Sequence, residues 1–327
     1  MLGALGFVSG RQAFAQSDPL TSWNDSAPKL AILDFVARVT QEGGPDFVAP
    51  AQRIAVFDND GTLWAEQPMY FQEAFVFDRI KTLAASHPDW RETQPFMAVI
   101  EEDREALAAA GEKGLLDLLA ATHAGMTTDA FAATVAEWLQ SARDPRFGQP
   151  YDRLVYQPQL ELLAYLRANG FKTFIVSGGG VEFMRVFAER AYGIPPEQVV
   201  GSSGLVNFRL LADGKPELVK QPKVEFVDDG PGKPVGINRF IGRRPILAFG
   251  NSDGDQQMLE WTGAGSAPRL AALLHHTDAE REWAYDRASH VGKLDKALEE
   301  ARLRGWTVVD MKRDWKRVFA FEPKGAL

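Results

Sequence analysis

Apolar residues recur along the chain in two alternating rhythms. From about Pro28 the segment LAILDFVARV spaces them three and four apart, which predicts an amphipathic helix. Arg53-Ile-Ala-Val-Phe57 then runs apolar without interruption up to polar residues and a glycine. A short unbroken run of that kind predicts a parallel strand buried on both faces. Four similar runs follow, at 171–176, 245–249, 272–275 and 306–310, separated by helix-like stretches that include 159–168 and 180–192. Strands alternating with helices predict an α/β fold with a doubly wound parallel sheet, whose site lies beyond the carboxyl ends of its strands.

Two segments interrupt the alternation. Residues 66–150 are rich in Ala, Leu and Glu at helical spacing and predict an inserted helical cap. Residues 199–227 hold short β-like pieces separated by Gly and Asp, as in a small antiparallel flap. The expected organisation is therefore a leader and linker over 1–27, an α/β core over 28–65 and 151–327, and a cap over 66–150.

The 327 residues are 45% apolar, enough for a sizeable core. Lys and Arg total 36 against 44 Asp and Glu, a formal charge of -8, which leaves no basic field for nucleic acid. With no cysteine, disulfides, thiolate metal sites and Cys nucleophiles are excluded. The start, LGALGFVSGRQAFAQ after Met1, is apolar and reaches Ala13-Phe14-Ala15, a small-x-small pattern of the kind cleaved after a secretory signal, although the usual basic start is missing. Export to the periplasm or medium, with cleavage near Ala15, is the expectation, and a cytoplasmic chain is its alternative. No other stretch reaches the ~20 apolar residues of a membrane span.

The sharpest chemistry lies in Asp58-Asn59-Asp60-Gly61-Thr62, directly after the run IAVF. Alternate residues of an extended segment point the same way, so Asp58 and Asp60 are placed to present two carboxylates to one site. Close carboxylates raise each other's pKa unless a cation lies between them, and Mg²⁺, a hard ion taking oxygen ligands, suits that place. The plain alternative is an Asp-rich turn around Gly61. Further along stand Ser177-Gly178-Gly179-Gly180 at the end of a strand, Lys233 in DDGPGKPVGI, and Gly250-Asn251-Ser252-Asp253-Gly254-Asp255 after another strand. Taken singly, the first is a glycine loop and the second a surface lysine, with Lys215, Lys220 and Lys223 competing for any role Lys233 has.

Taken in order, these segments resemble the four motifs of the haloacid dehalogenase superfamily, specifically its phosphatases, over about residues 50 to 310. The resemblance implies that Asp58 is a nucleophile forming an aspartyl-phosphate and that Asp60 is the general acid and then base, its backbone carbonyl also binding Mg²⁺. It implies that Ser177 and the amides of Gly178 and Gly179 hold phosphoryl oxygens, and that Lys233 neutralises the nucleophile and the transferring group. The fourth motif departs from the commonest family form, because Asn251 stands where a carboxylate usually binds the metal; Asp253 and Asp255 remain as candidate ligands. An inserted cap looks like the phosphoserine phosphatase branch, near whose pattern Glu66 is a candidate for receiving a cationic amine, unless it is a solvated helix-start residue.

The expectation is thus a Mg²⁺-dependent hydrolase of a small phosphorylated metabolite, with a lid hinged near Ala65 and Pro150. Its rivals are the same fold cleaving another bond, and an exported ligand- or partner-binding protein with a degenerate site. The acid at Asp60 disfavours the first, since a leaving alkoxide needs a proton and a halide does not. His275-His276 is a weak metal signal, because adjacent strand residues face opposite ways.

Overall fold

The computed structural model describes residues 18–266 and 268–322. The leader expectation, at Met1–Gln16, lies outside the described residues. The strands are β1 (Ile54–Phe57), β2 (Lys172–Gly180), β3 (Val199–Leu210), β4 (Pro216–Phe226), β5 (Leu247–Gly250), β6 (Leu270–Thr277), β7 (Ala284–Tyr285) and β8 (Thr307–Asp310). Among the described residues they form one eight-stranded sheet in the order β4-β3-β2-β1-β5-β6, with β8 and the short β7 both pairing β6. The β3-β2-β1-β5-β6-β8 pairings are all parallel, so the α/β expectation holds. β1 lies at the centre and all four of its residues are buried, as its unbroken apolar run requires.

The helices are α1 (Ala27–Thr40), α2 (Phe71–Leu83), α3 (Phe96–Glu101), α4 (Arg104–His123), α5 (Thr128–Ser141), α6 (Gln157–Ala168), α7 (Val181–Arg185), α8 (Ala188–Tyr192), α9 (Gly232–Gly236), α10 (Gln256–Gly263), α11 (Lys296–Arg304) and α12 (Met311–Asp314). Pro28 and Pro158 stand in the first turns of α1 and α6, where a missing N–H costs nothing. The Asp103 carboxylate caps α4 and the Thr127 hydroxyl caps α5. The helix expected over 180–192 is two short helices, α7 and α8, because Val186 and Phe187 carry the chain out of the first and into the second.

Helices α2 to α5 occupy the stretch expected to be helical. Their apolar faces join the core of the sheet: Phe75 meets Phe183 at 5.5 Å and Trp138 stacks on Tyr151 at 4.7 Å, while Trp64 stacks on Phe187 at 4.4 Å. The two crossings between sheet and helices run side by side, with Ala65 N donating to Leu154 O at 3.0 Å and Tyr156 N to Leu63 O at 2.9 Å. The expected flap is a long antiparallel hairpin, β3–β4, but it is not separate from the sheet, because β3 begins by pairing β2 through Val199, Val200 and Gly201. Beyond the sheet the hairpin reaches α4 and α5: Gly125 N donates to Lys220 O and Lys220 N to Met126 O, each at 2.9 Å.

Candidate active site

The carboxyl ends of β1, β2 and β5 lie side by side, since Phe57 is in register with Ile175 and with Phe249. Each strand therefore delivers its next residues, Asp58, Ser177 and Asn251, to one edge of the sheet. After β1 the chain turns at once: the carbonyl of Asn59 accepts from the amides of Thr62, Leu63 and Trp64. Gly61 holds φ +69 within that turn, a conformation glycine adopts without a Cβ penalty.

Lys233, at the start of α9, is buried and its ammonium is fully engaged. It donates to Asp58 Oδ1 at 2.7 Å, Asp255 Oδ1 at 2.6 Å and the Val176 carbonyl at 3.0 Å. Burial works to lower the ammonium, but the Asp255 and Asp58 carboxylates outweigh it and hold Lys233 above the ordinary lysine range. Burial and the Asp255 charge push Asp58 well above the usual carboxylate range, against the opposing pull of Lys233. Lys220, one of its sequence competitors, instead pairs with Glu182 and lies over the Phe131 ring.

Asp60 is held by Trp64, whose indole N–H donates to Oδ1 at 2.8 Å. Burial raises its pKa and this hydrogen bond opposes the rise. Oδ2 lies over Gly179: a Cβ built there would approach it at 3.4 Å. The Gly179 amide donates to Ser177 Oγ at 3.2 Å, and Gly180 N to Gln72 Oε1 of α2 at 2.7 Å. Asp58, Asp60, Ser177, Gly179 and Lys233 are thereby brought together, with Gly178 between Ser177 and Gly179.

The 250–255 turn divides its residues differently from the expectation. Asp255 is engaged on both carboxyl oxygens: Oδ1 meets Lys233, and Oδ2 accepts from the amides of Asn251 and Ser252 at 2.8 and 3.0 Å. Asp253 Oδ1 accepts from the amides of Asp295 and Ala297 at 2.9 Å and caps α11. Of the candidate ligands in this turn, Asn251 is the one directed to the first loop. Its Oδ1 accepts from the Thr62 hydroxyl at 2.9 Å and its Nδ2 donates to Glu66 Oε1 at 2.7 Å. Glu66 is neither in a helix nor solvated; it is 1% exposed in the loop before α2 and also accepts from the Tyr285 hydroxyl at 2.8 Å.

Asp58 and Asp255 share the buried Lys233 ammonium, and the Asp60 and Asp58 charges bear on Glu66 nearby. Such an excess of enclosed negative charge fits a cation. The described residues contain no cluster of three or more His, Asp or Glu able to form a cage. Mg²⁺ needs none, because it is commonly bound through one or two carboxylates with water and substrate completing its shell. Cavities of about 240 Å³ beside Trp306 and about 510 Å³ beside Lys29 lie elsewhere; at the site Asp58 and Ser177 are buried, while Asp60 and Gly179 are half-buried and Gly178 is exposed.

Several contributors carry no sequence motif. Gln72 and Trp64 are placed by the cap and the first loop. His276, on β6, has both ring nitrogens engaged, Nε2 with the Gly61 carbonyl at 2.8 Å and Nδ1 with Glu282 Oε2 at 3.1 Å, and Tyr285 stacks on it at 4.3 Å. Alternation along the strand does set His276 inward, with His275 more exposed, and that was the available signal.

The site is thus a lysine bridging two carboxylates at the carboxyl edge of the parallel sheet of an α/β protein. The model of haloacid dehalogenase-like hydrolases matches residues 55–260, and the chain belongs to that family. No curated protein matches it by sequence. A solved protein of unknown function from Anaerococcus prevotii is 16% identical, with 88% of this chain and 91% of that chain covered at a TM-score of 0.50. One from Bordetella pertussis is 17% identical over 80% and 99% of the two chains, with a TM-score of 0.48. A phosphoserine phosphohydrolase-like protein from Francisella tularensis is 18% identical over 68% and 87%, with a TM-score of 0.36. At 16% identity the likeness to the Anaerococcus prevotii protein is one of fold.

Proposed function

We propose that the protein is a Mg²⁺-dependent phosphohydrolase acting on a small phosphate monoester through an aspartyl-phosphate. The observation that carries the reading is the pairing of two unlike carboxyls: Asp58 bound to a buried ammonium, and Asp60 raised by burial and placed over Gly179. Burial raises both carboxyls, and what distinguishes them is contact: the Lys233 ammonium favours the Asp58 anion that attacks, while Asp60, held by the Trp64 indole, is placed to carry a proton.

An Asp58 oxygen attacks phosphorus as the bond to the leaving-group oxygen breaks, and Asp60 gives its proton to that leaving oxygen, releasing the alcohol. Asp60 then takes a proton from water, whose oxygen attacks phosphorus, releasing inorganic phosphate and restoring Asp58. Lys233 offsets the charge on Asp58 as the two anions approach, and the Ser177 hydroxyl with the amides of Gly178 and Gly179 takes phosphoryl oxygens. Asp58, the Asp60 carbonyl and Asn251 would hold Mg²⁺. When bound, it supplies positive charge for the equatorial oxygens of the transferring group. Asp255 acts through Lys233, which it anchors. The substrate is a small phosphorylated metabolite, and no described helix is long and apolar enough to cross a membrane.

The test is turnover of p-nitrophenyl phosphate with and without Mg²⁺. Asp58→Asn should abolish turnover and the phosphoenzyme. Asp60→Asn keeps the backbone carbonyl and should slow turnover by about 10² to 10⁴. Full Mg²⁺-dependent activity in Asp58→Asn refutes the mechanism, and phosphate binding without any turnover favours a ligand-binding protein.

A further inference from the structure

The negative charge near Asn251 is placed one residue away from it. Asn251 is itself neutral, and its amide is fixed: Oδ1 faces the Thr62 hydroxyl, and Nδ2 faces Glu66 Oε1. A flipped amide would set oxygen against oxygen at Glu66, so the orientation follows from the carboxylate. Glu66 has no cationic side chain in salt-bridge contact among the described residues; its Oε1 is met by the Asn251 amide and the Tyr285 hydroxyl alone. Its place is also reserved by the backbone. A Cβ on Gly61 or on Gly292, from two distant parts of the chain, would overlap Glu66 Oε1. Two glycines and a tyrosine thus build a closed seat for a carboxylate behind an amide.

We propose that Glu66 is the anionic half of a two-residue cation site, in which Asn251 presents its neutral oxygen to Mg²⁺ and Glu66 supplies the charge from behind. This rests on the phosphohydrolase reading given above. An amide whose N–H donates to a carboxylate is polarised toward its oxygen, and a hydrogen-bonded anion behind a ligand raises that ligand's basicity. Glu66 is in this view a positioning residue for Asn251 and is engaged within the protein, not reserved for an amine of the substrate.

The test is calorimetric titration of the full chain with MgCl₂, which reads affinity without turnover. Glu66→Gln keeps the shape and an acceptor for Tyr285 but removes the charge; Mg²⁺ should bind about 10- to 100-fold more weakly. Asn251→Asp alone sets two carboxylates against each other and should lower the melting temperature in EDTA, with a larger rise on adding Mg²⁺ than in the parent. The double variant Glu66→Gln/Asn251→Asp moves the charge onto the ligand and restores an N–H···O bond between the pair, so its affinity should return toward the parent value. That double variant decides the matter if Glu66→Gln fails to fold. Parent-like Mg²⁺ affinity in Glu66→Gln, or a double variant that binds no more tightly than Glu66→Gln, overturns the inference while leaving the phosphohydrolase reading in place. A parent protein that binds no Mg²⁺ overturns the metal site itself, and this inference with it.

Discussion

Replacing Gly61 by alanine separates two costs that the structure combines at one position. Gly61 holds φ +69, and Gly305, which ends α11, holds φ +67. Both alanine variants therefore meet the left-handed penalty, about 1–2 kcal/mol. Their surroundings differ. Around Gly305 nothing lies within 4 Å of a built Cβ, whereas at Gly61 it overlaps Asn251 Nδ2 and the Glu66 carboxyl. Forcing a methyl into a packed site adds about 1–3 kcal/mol, so Gly61→Ala should cost about 2–5 kcal/mol against about 1–2 for Gly305→Ala. With an unfolding entropy of about 2.1 cal/mol/K per residue, each kcal/mol lowers Tm by roughly 1.5 °C in a chain of 327 residues. Thermal unfolding of the two variants side by side measures the difference, and phosphatase assays should show Gly61→Ala impaired and Gly305→Ala active. Equal Tm losses would refute the claim that the first loop is packed against Asn251 and Glu66.

Lys233→Met removes the cation between two buried carboxylates and should destabilise the fold by about 3–5 kcal/mol, read by urea denaturation; an unchanged midpoint would contradict the buried triad. Asp228 is fully buried with its carboxyl pushed up to about 7 by burial, against the pull of Lys233. Between its ordinary 3.8 and that value the folded chain keeps a proton the unfolded chain has released, so its contribution to stability declines as pH rises from about 4 to 7 and is level above. Asp228→Asn should flatten that slope and raise Tm at pH 8, as urea titrations across this range would show. Mass spectrometry of the mature protein should find the chain beginning near Gln16, and a chain retaining Leu2 to Ala15 would refute export.

Much of the layout was legible because burial on both faces leaves an unbroken apolar run. β1, β2, β5 and β6 were visible that way, and Asp58, Ser177 and Asn251 stand at the carboxyl ends of three of them, whereas β8 is an apolar run only half-buried at the sheet edge. Lys233 emerged from order along the chain, although only the fold shows which lysine reaches Asp58. What escaped depends on side chains meeting across large sequence separations. Tyr285 and Glu66 are 219 residues apart, and neither has a local pattern that announces the other. Asp253 and Asp255 look equivalent in the sequence, yet one caps a helix and the other anchors Lys233, because alternate residues in a tight turn do not share a face. Val199 begins a strand of the main sheet for the same reason: pairing with β2 is invisible to local periodicity.

The hydrogen bonds between Lys220 and the 125–126 turn change what admission of substrate requires. Two adjacent crossings alone would let the helical insertion swing like a door. A third attachment, far along the hairpin, makes the insertion a tripod whose outer leg is planted on β4. Rotation must then either unzip that leg or flex it, and the pairing of β3 with β4 is already irregular between Ser203 and Val206. Any swing of the insertion would thus be geared to bending of β3, which pairs directly with β2, so the sheet that carries Asp58 would register it.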